Sequence, residues 1–327
     1  MESKRKKIVA LGIDIGGTKI KAGLVNAEGK VLSQKVIPTY KERGAASVLK
    51  QIEEIICFFK NSSSKEIQGI GLALPGQVDD KRGHCLYCPN LGWGELEISR
   101  RLTEKTGLPV RLINDANAAC LGELFYGKGK KTKTFLSITL GTGVGSGLIF
   151  NGQLFTGRFG SGVEAGHMVI DPTGYPCSCG RRGCWETLVS APGIIRRTKE
   201  KMKIIKDSKT AKLIKEGCNE DESLSPEKIF QAAREGDLLA REIVEETVFY
   251  LAIGLANLIN LFNPFEISLG GGVAEAEEII TSDLIEQIDK NVFPTMKGKV
   301  KIYKATQGYY GGIIGASTLW LHEIDII

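Results

Sequence analysis

The chain has 327 residues, 42% of them apolar and 25% charged, and carries a net charge of +5. That length exceeds one ordinary hydrophobic core and predicts two lobes, in a globular rather than a disordered chain. No apolar run reaches about 18 residues and no basic stripe is interleaved with aromatics, so neither a membrane span nor a nucleic-acid surface is expected. The positive surplus lies partly in MESKRKK at the start and KGKKTK at 128–133, which read as a frayed terminus and a solvated loop. Eight cysteines with no export signal before the first predicted strand point to a reducing compartment, hence to the cytoplasm.

In chain order, KIVALGIDIGG (7–17) reads as a buried strand running into a tight turn. KIKAGLVN (19–26) and VLSQKVIPT continue it as a three-stranded meander. Val48, Leu49, Ile52, Ile55, Ile56 and Phe59 form one helical stripe, an ordinary core face. QGIGLALPG (68–76) is a further buried strand. A loop (77–95), a helix near 95–106 and the strand PVRLIND (109–115) complete a first α/β unit. KTFLSITLG (133–141) opens a second unit, followed by a hairpin turning at Asn151-Gly152 and a glycine- and cysteine-rich loop at 157–186. Helices are expected over roughly 190–263, ending at Asn263-Pro264. FEISLGGG (265–272), a helix, the strand VKIYKA and a last helix at 311–322 close the chain. Strand, hairpin, glycines and helix thus occur twice. The expected fold is α/β with two duplicated lobes and an interlobe cleft suited to a ligand. The first lobe is assigned to 1–117, completed by 311–327; the second is assigned to 118–310, with the cysteine loop at 164–186.

Three glycine loops each follow a predicted strand: DIGGTK (14–19), LGTGVGSG (140–147) and SLGGG (268–272). Glycine lets backbone N–H groups approach phosphate oxygens; a simple turn is the competing reading at each loop. The pattern G-x-x-x-x-G-K-[ST] is missing, and the glycines at 141, 143, 145 and 147 alternate rather than spell G-x-G-x-x-G, which removes the main support for a P-loop or a nicotinamide-binding fold. Around Gly16 and Gly17, Thr18 and Lys19 add a hydroxyl and an ammonium that suit a polyphosphate. Asp14 ends the strand beside them, where a carboxylate either holds Mg²⁺ directly or through water, or caps the turn.

A second set of residues suits an alcohol acceptor. In INDANAA (113–119), Asn114 and Asp115 stand at a strand end before a helix; they read either as a helix cap or, for Asp115, as an acceptor of an alcohol proton. PNLGW (89–93) offers an amide at Asn90 and an indole at Trp93, the latter equally suited to a core. EAGH (164–167) supplies Glu164 and His167. Ten residues later, CSCGRRGCWE brings Cys177, Cys179 and Cys184, and His167 with these three thiols makes a Cys₃His set of the kind that closes a structural zinc site; unligated buried thiols are the other reading. Cys85 and Cys88 form a C-x-x-C before PNLGW, either a redox or metal pair or scattered loop thiols.

Together these motifs resemble the ROK family (repressors, open reading frames and sugar kinases) over nearly the whole chain. EAGH combined with C-x-C-G-x-x-G-C-x-E is the most specific part. The resemblance implies the two-lobed actin-like (RNase H-like) ATPase fold and a hexose kinase using ATP and Mg²⁺, with the bacterial glucokinases as the nearest pattern. It implies that Asp115 is the base toward the sugar 6-hydroxyl and that Asn114, Glu164, His167 and Glu186 hold the sugar with Asn90 and the Gly76 backbone. It implies that Gly17, Thr18, Thr142 and Gly143 meet the phosphates, that Gly270, Gly271 and Gly272 lie near the adenosine, and that zinc is structural. A homo-oligomer, dimer or tetramer, is expected. The alternatives are a kinase for fructose, mannose, allose or an N-acetylhexosamine, a sugar-responsive repressor, and an ATPase of the actin or heat-shock class. The Cys85–Cys88 pair departs from the family pattern.

Overall fold

A computed structural model describes residues 8–129, 132–160, 162–204, 224–324 and 326. The basic start at 1–7, two lysines of the 128–133 segment and positions 205–223 of the expected helical stretch lie outside the described residues. Contacts divide the chain into two compact units. One comprises Met1–Ser137, Gly147–Val163 and Ala305–Ile327; the other comprises Ile138–Ser146 and Glu164–Lys304. The lobe boundary expected at 117/118 falls inside a helix (Asp115–Tyr126) that this division keeps whole in the first unit.

The first unit is built on a five-stranded sheet of order β3-β2-β1-β4-β8. Its strands are β1 (Ile8–Ile15), β2 (Lys19–Asn26), β3 (Val31–Pro38), β4 (Glu66–Leu74) and β8 (Val110–Asn114). β1 pairs antiparallel with β2 and parallel with β4, and β4 pairs parallel with β8. Helix α1 (Ala45–Ser62) buries the predicted stripe from Val48 to Phe59. The last helix, α9 (Gly311–Leu321), seats its backbone on the sheet. A Cβ at Gly12 would lie 2.0 Å from Ile313 O and one at Gly71 1.8 Å from Ala316 O. These two strand glycines therefore serve helix packing.

The segment 77–95, expected as a loop, contains most of a small sheet of order β5-β6-β7, with β5 Gln77–Asp79, β6 His84–Tyr87 and β7 Leu96–Glu97. Strands of two to four residues carry too little period to be read from sequence and exist through their pairing. Helix α2 (Ser99–Thr106) follows, and α3 (Asp115–Tyr126) leaves the end of β8.

A second five-stranded sheet has the order β11-β10-β9-β12-β13, from β9 (Phe135–Leu140), β10 (Val144–Phe150), β11 (Gln153–Phe155), β12 (Glu266–Gly270) and β13 (Lys301–Lys304). The predicted Asn151-Gly152 turn has positive φ at both residues, 51° and 83°, as a two-residue type I′ hairpin requires. In the second unit, short α4 (Glu186–Val189) leads into α5 (Ala191–Ile204), and α6 (Pro226–Arg234) precedes the 25-residue α7 (Leu238–Phe262). Asp237 caps α7 by accepting from Ala240 N at 2.9 Å, and Asn263, in the left-handed region, ends it where the Asn-Pro signal was read. Helix α8 (Ser282–Asn291) lies before β13.

Candidate active site

In the first unit the DIGGTK loop is a closed turn. Gly16 N donates to Lys19 O at 2.9 Å, and Thr39 ties it from outside through Thr39 N to Thr18 O and Thr39 Oγ1 to Gly16 O. Neither Gly16 nor Gly17 has a positive φ. The turn conformation alone would thus admit other residues, and glycine instead keeps the backbone uncovered: a Cβ at Gly17 meets nothing nearer than Asn90 O at 3.6 Å and Lys41 Nζ at 3.7 Å. Thr18 and Lys19 are exposed. Lys41, which the sequence reading did not single out, donates to Asn90 O at 3.4 Å and sets a cation beside this loop.

Asp14 faces Lys21 across the β1–β2 pair, with Lys21 Nζ 3.4 Å from Oδ2. Burial raises the Asp14 carboxyl above its ordinary value, and the Lys21 charge and hydrogen bond oppose that rise. The carboxylate expected to meet Mg²⁺ therefore already has a cationic neighbour.

The acceptor motifs in this unit meet at the end of β8. Asn114, rather than Asp115, caps α3, its Oδ1 accepting from Ala116 N at 3.0 Å and Asn117 N at 3.1 Å. Asn114 Nδ2 donates to Gly76 O at 3.1 Å. An asparagine amide has two hydrogens, so at most one remains for a sugar hydroxyl. Asp115 is the first residue of α3, half-buried, with Oδ1 also accepting from Ala116 N at 2.8 Å. Gly76 is needed for close approach, since a Cβ there would lie 2.4 Å from Tyr87 O and 2.8 Å from Cys88 Cα. The PNLGW loop is closed by paired bonds between Cys88 and Trp93, N to O at 2.9 Å and 3.0 Å, which leave Asn90 exposed. Trp93 is 4% exposed and belongs to the core cluster. Of the two readings left open for it, core is the one realised.

In the second unit Thr142 is exposed in the Gly141–Gly143 turn, where Gly141 N donates to Gly143 O at 2.9 Å. A Cβ at Gly143 would lie 2.9 Å from Glu186 Oε2. Gly271 has φ 86°, and a Cβ there would stand 2.3 Å from Leu140 O, so this glycine is required by the backbone itself. Gly270 ends β12. Gly272 borders a cavity of about 350 Å³ lined also by Glu227, Phe230, Arg234 and residues 275–277. None of the last six was named from sequence; they come from α6 and the turn after β12, distant in the chain.

The cysteine loop gathers as expected. The ligand atoms of His167, Cys177, Cys179 and Cys184 all lie within 4.8 Å of one another. Tetrahedral zinc with Zn–S of about 2.3 Å and Zn–N of about 2.0 Å requires edges of about 3.8 Å between sulfurs and about 3.5 Å between nitrogen and sulfur. Cys179 Sγ and Cys184 Sγ are 3.6 Å apart, and His167 Nδ1 is 3.5 Å from Cys177 Sγ. The donor set is one that zinc takes, and these two edges match a tetrahedral site. Cys177 N donates to Arg181 O at 2.8 Å, and Gly180 and Gly183 supply the positive φ values, 87° and 69°, that fold the loop back. Burial opposes ionisation of Cys179, but bonds from the Arg181 backbone and side chain outweigh it and hold this thiol down to about 6.

Glu186 touches the cluster. Its Oε1 accepts from Cys177 Sγ at 3.1 Å and lies 3.6 Å from His167 Nδ1. Burial raises the Glu164 carboxyl, His167 lowers it and Glu186 raises it, so three of the expected sugar residues share one electrostatic neighbourhood. The sequence reading missed what anchors them. Trp185, between Cys184 and Glu186, is fully buried; its Nε1 donates to Tyr250 O at 2.9 Å, and its ring fills the place of a Cβ at Gly254 of α7. Arg196 and Arg197 hold α4 by donating to Thr187 O and Leu188 O. An indole adjoining a cysteine motif and paired arginines were visible signals, but their partners lie up to 69 positions away.

The family described as the ROK family matches residues 10–323. A glucokinase of Thermotoga maritima is 35% identical over 314 residues, 96% of this chain and 97% of its own. A xylose repressor of Bacillus spizizenii is 28% identical over 330 residues, 99% of this chain and 80% of its own. The crystal structure of a ROK family glucokinase from Streptomyces griseus, in complex with glucose and AMPPNP, superposes with a TM-score of 0.81 at 32% identity, covering 95% of this chain and 99% of that one.

Proposed function

The chain belongs to the ROK family, and on that premise we propose that it is an ATP-dependent hexose kinase whose substrate is glucose, converted to glucose 6-phosphate. The fold is that family's two-lobed actin-like α/β class. The observation that carries the reading is the Glu186 carboxylate standing 3.1 Å from Cys177 Sγ and 3.6 Å from His167 Nδ1. A zinc-type cluster built onto a hydroxyl-binding carboxylate suits a sugar acceptor, whereas an ATPase of the actin or heat-shock class has no use for it.

In this reading Asp115 accepts the proton of the sugar 6-hydroxyl as the phosphoryl group transfers. Asn114, Asn90, Glu164, His167, Glu186 and the Gly76 backbone hold the remaining hydroxyls. Gly16, Gly17, Thr18, Lys19, Thr142 and Gly143 approach the phosphates, and Gly270, Gly271 and Gly272 border the adenosine. Zinc, when bound by His167, Cys177, Cys179 and Cys184, would brace the acceptor loop and fix the histidine tautomer; with Nδ1 turned to the sulfurs, Nε2 carries the proton and donates. Mg²⁺, with Asp14 as its protein ligand directly or through water, would offset phosphate charge.

The cytoplasm as location is supported by seven described cysteines that are all free thiols; among the described residues, no helix is long and apolar enough to cross a membrane. A homo-oligomer completes the proposal and is read by light scattering. A sugar-panel assay coupled to ADP release tests the whole reading. Glucose-dependent ADP release above that with fructose, mannose, allose and N-acetylhexosamines is expected. Sugar binding without ADP release from any of them would replace the kinase with a sugar-responsive regulator.

A further inference from the structure

Cys85 and Cys88 are three positions apart, and in a regular strand such residues face opposite sides. Here they do not. Val78 of β5 pairs with Cys85 while its neighbour Gln77 pairs with Tyr87, so Leu86 is an extra residue that bulges out of β6. The bulge resets the alternation just before Cys88. Both cysteines are 0% exposed and lie in one core cluster. The two side chains are electrostatic neighbours: Cys88 holds the Cys85 thiol below its ordinary value, and Cys85 together with burial pushes Cys88 up. Cys85 is thus the partner that ionises first.

Cys88 is also the hinge pin of the acceptor loop. Its N and O close the Pro89–Gly92 turn on Trp93. Its sulfur donates to Pro75 O at 3.3 Å, and its Cα and Cβ occupy the space a Cβ at Gly76 would take. Gly76 O in turn receives Asn114 Nδ2, whose side chain caps the helix that begins with Asp115. Any shift of Cys88 is passed through three contacts to the start of α3.

We propose that Cys85 and Cys88 form an oxidisable dithiol that closes to a disulfide with peroxides and thereby disables the acceptor loop. The Cys85 thiolate attacks one peroxide oxygen, giving a sulfenic acid and hydroxide, which the released thiol proton converts to water. The Cys88 sulfur then displaces the sulfenic hydroxyl, which leaves as a second water with the Cys88 proton. Two thiols are oxidised and one hydrogen peroxide is reduced to two waters. Closure draws Cys88 toward Cys85 and away from Pro75 and Trp93. Because neither sulfur is exposed, the reaction waits on opening of the Pro89–Gly92 turn and is slower than oxidation of exposed Cys57.

The consequence for activity rests on the hexose-kinase reading; the chemistry and the loop motion do not. The full-length zinc-loaded protein is treated with hydrogen peroxide. Peptide mass mapping after alkylation is expected to find an 85–88 disulfide reversed by dithiothreitol. Hydrogen exchange at the Cys88 amide is expected to speed up at least tenfold in the oxidised form. kcat/KM for glucose is expected to fall at least tenfold at unchanged zinc content. Cys85→Ser, or Cys85→Ala should the serine variant fold poorly, is expected to keep basal activity and lose the peroxide effect. No 85–88 disulfide, unchanged exchange at Cys88, or full peroxide sensitivity in a folded, zinc-retaining Cys85 variant would each overturn the proposal. A disulfide with faster exchange, but no sugar-dependent ADP release even in the reduced protein, would uphold the pair and overturn the kinase reading alone.

Discussion

The Cys177 thiol donates to Glu186 Oε1 at 3.1 Å, so a candidate metal ligand and a candidate sugar ligand share one contact. Glu186 also lies two positions after Cys184, so whatever orders the cysteine loop also orders the carboxylate, including where metal would replace the Cys177 proton. Cys179→Ser is therefore expected to lower zinc content and raise the sugar KM by about tenfold or more, with the ATP KM changed by less than about twofold. Metal analysis alongside steady-state kinetics measures both. A selective loss of ATP binding would show that the loop serves the nucleotide instead.

Asp115→Ala tests the base. Removing a positioned proton acceptor costs typically about 10²–10⁴ in rate. Since Asn114 provides the cap of α3, folding should change little. A kcat reduced by about 10² or more with sugar affinity retained is expected from turnover and equilibrium binding; near-normal turnover would remove Asp115 from the mechanism.

Gly143→Ala places a Cβ 2.9 Å from Glu186 Oε2. The clash falls on the end of a flexible side chain, so the melting temperature should move by no more than about 2 °C. The carboxylate must turn away, and the sugar KM is expected to rise several-fold. Adding Glu186→Asp, which withdraws the oxygen, is expected to add less than its separate effect, read as a double-mutant cycle. Strict additivity would show that the two residues do not meet.

Trp185→Ala should be felt as stability. A fully buried indole packed on Gly254 and bonded to Tyr250 O is lost, at about 3–5 kcal/mol by comparison with other buried aromatic truncations. Denaturant unfolding measures it. Because Trp185 lies between Cys184 and Glu186, weaker zinc retention is expected with it.

Asp14 supplies a pH signature. Its carboxyl is raised by burial from an ordinary value of 3.8, so the folded state holds the proton more tightly than the unfolded one. Ionising Asp14 thus costs stability: the cost is absent below the unfolded value and is complete above the folded one. Lys21, 3.4 Å away, limits the rise. Lys21→Met is expected to raise the carboxyl further and to steepen the loss of stability as pH climbs through that window. Carboxyl NMR titration together with unfolding at several pH values reads both, and an unchanged or lowered Asp14 would contradict the pairing.

Much of this was legible in the chain because it is written in local pattern. The long apolar strands, the Val48–Phe59 stripe, the Asn151-Gly152 hairpin and the end of α7 at Asn263 follow from side-chain period and turn chemistry, which act over a few residues. The His167–Cys177–Cys179–Cys184 cluster was readable because metal chemistry restricts both ligand type and spacing. What the chain alone left open needed partners remote in sequence. Asn114 and Asp115 read as a helix cap or, for Asp115, a proton acceptor; the fold put Asn114 Oδ1 on two backbone amides as the cap. Trp93 was pocket or core until burial made it core. Strands β5 to β7 exist only through pairing, and the bulge at Leu86 that turns Cys85 and Cys88 to one side depends on the register with β5. Gly143 was read as a phosphate-loop glycine, but its close approach to Glu186, 43 positions on, belongs to tertiary structure. Composition and period determined the class of fold and the kinds of chemistry present; packing decided which atom of each residue faces which partner, because that depends on distances between residues that sequence separates.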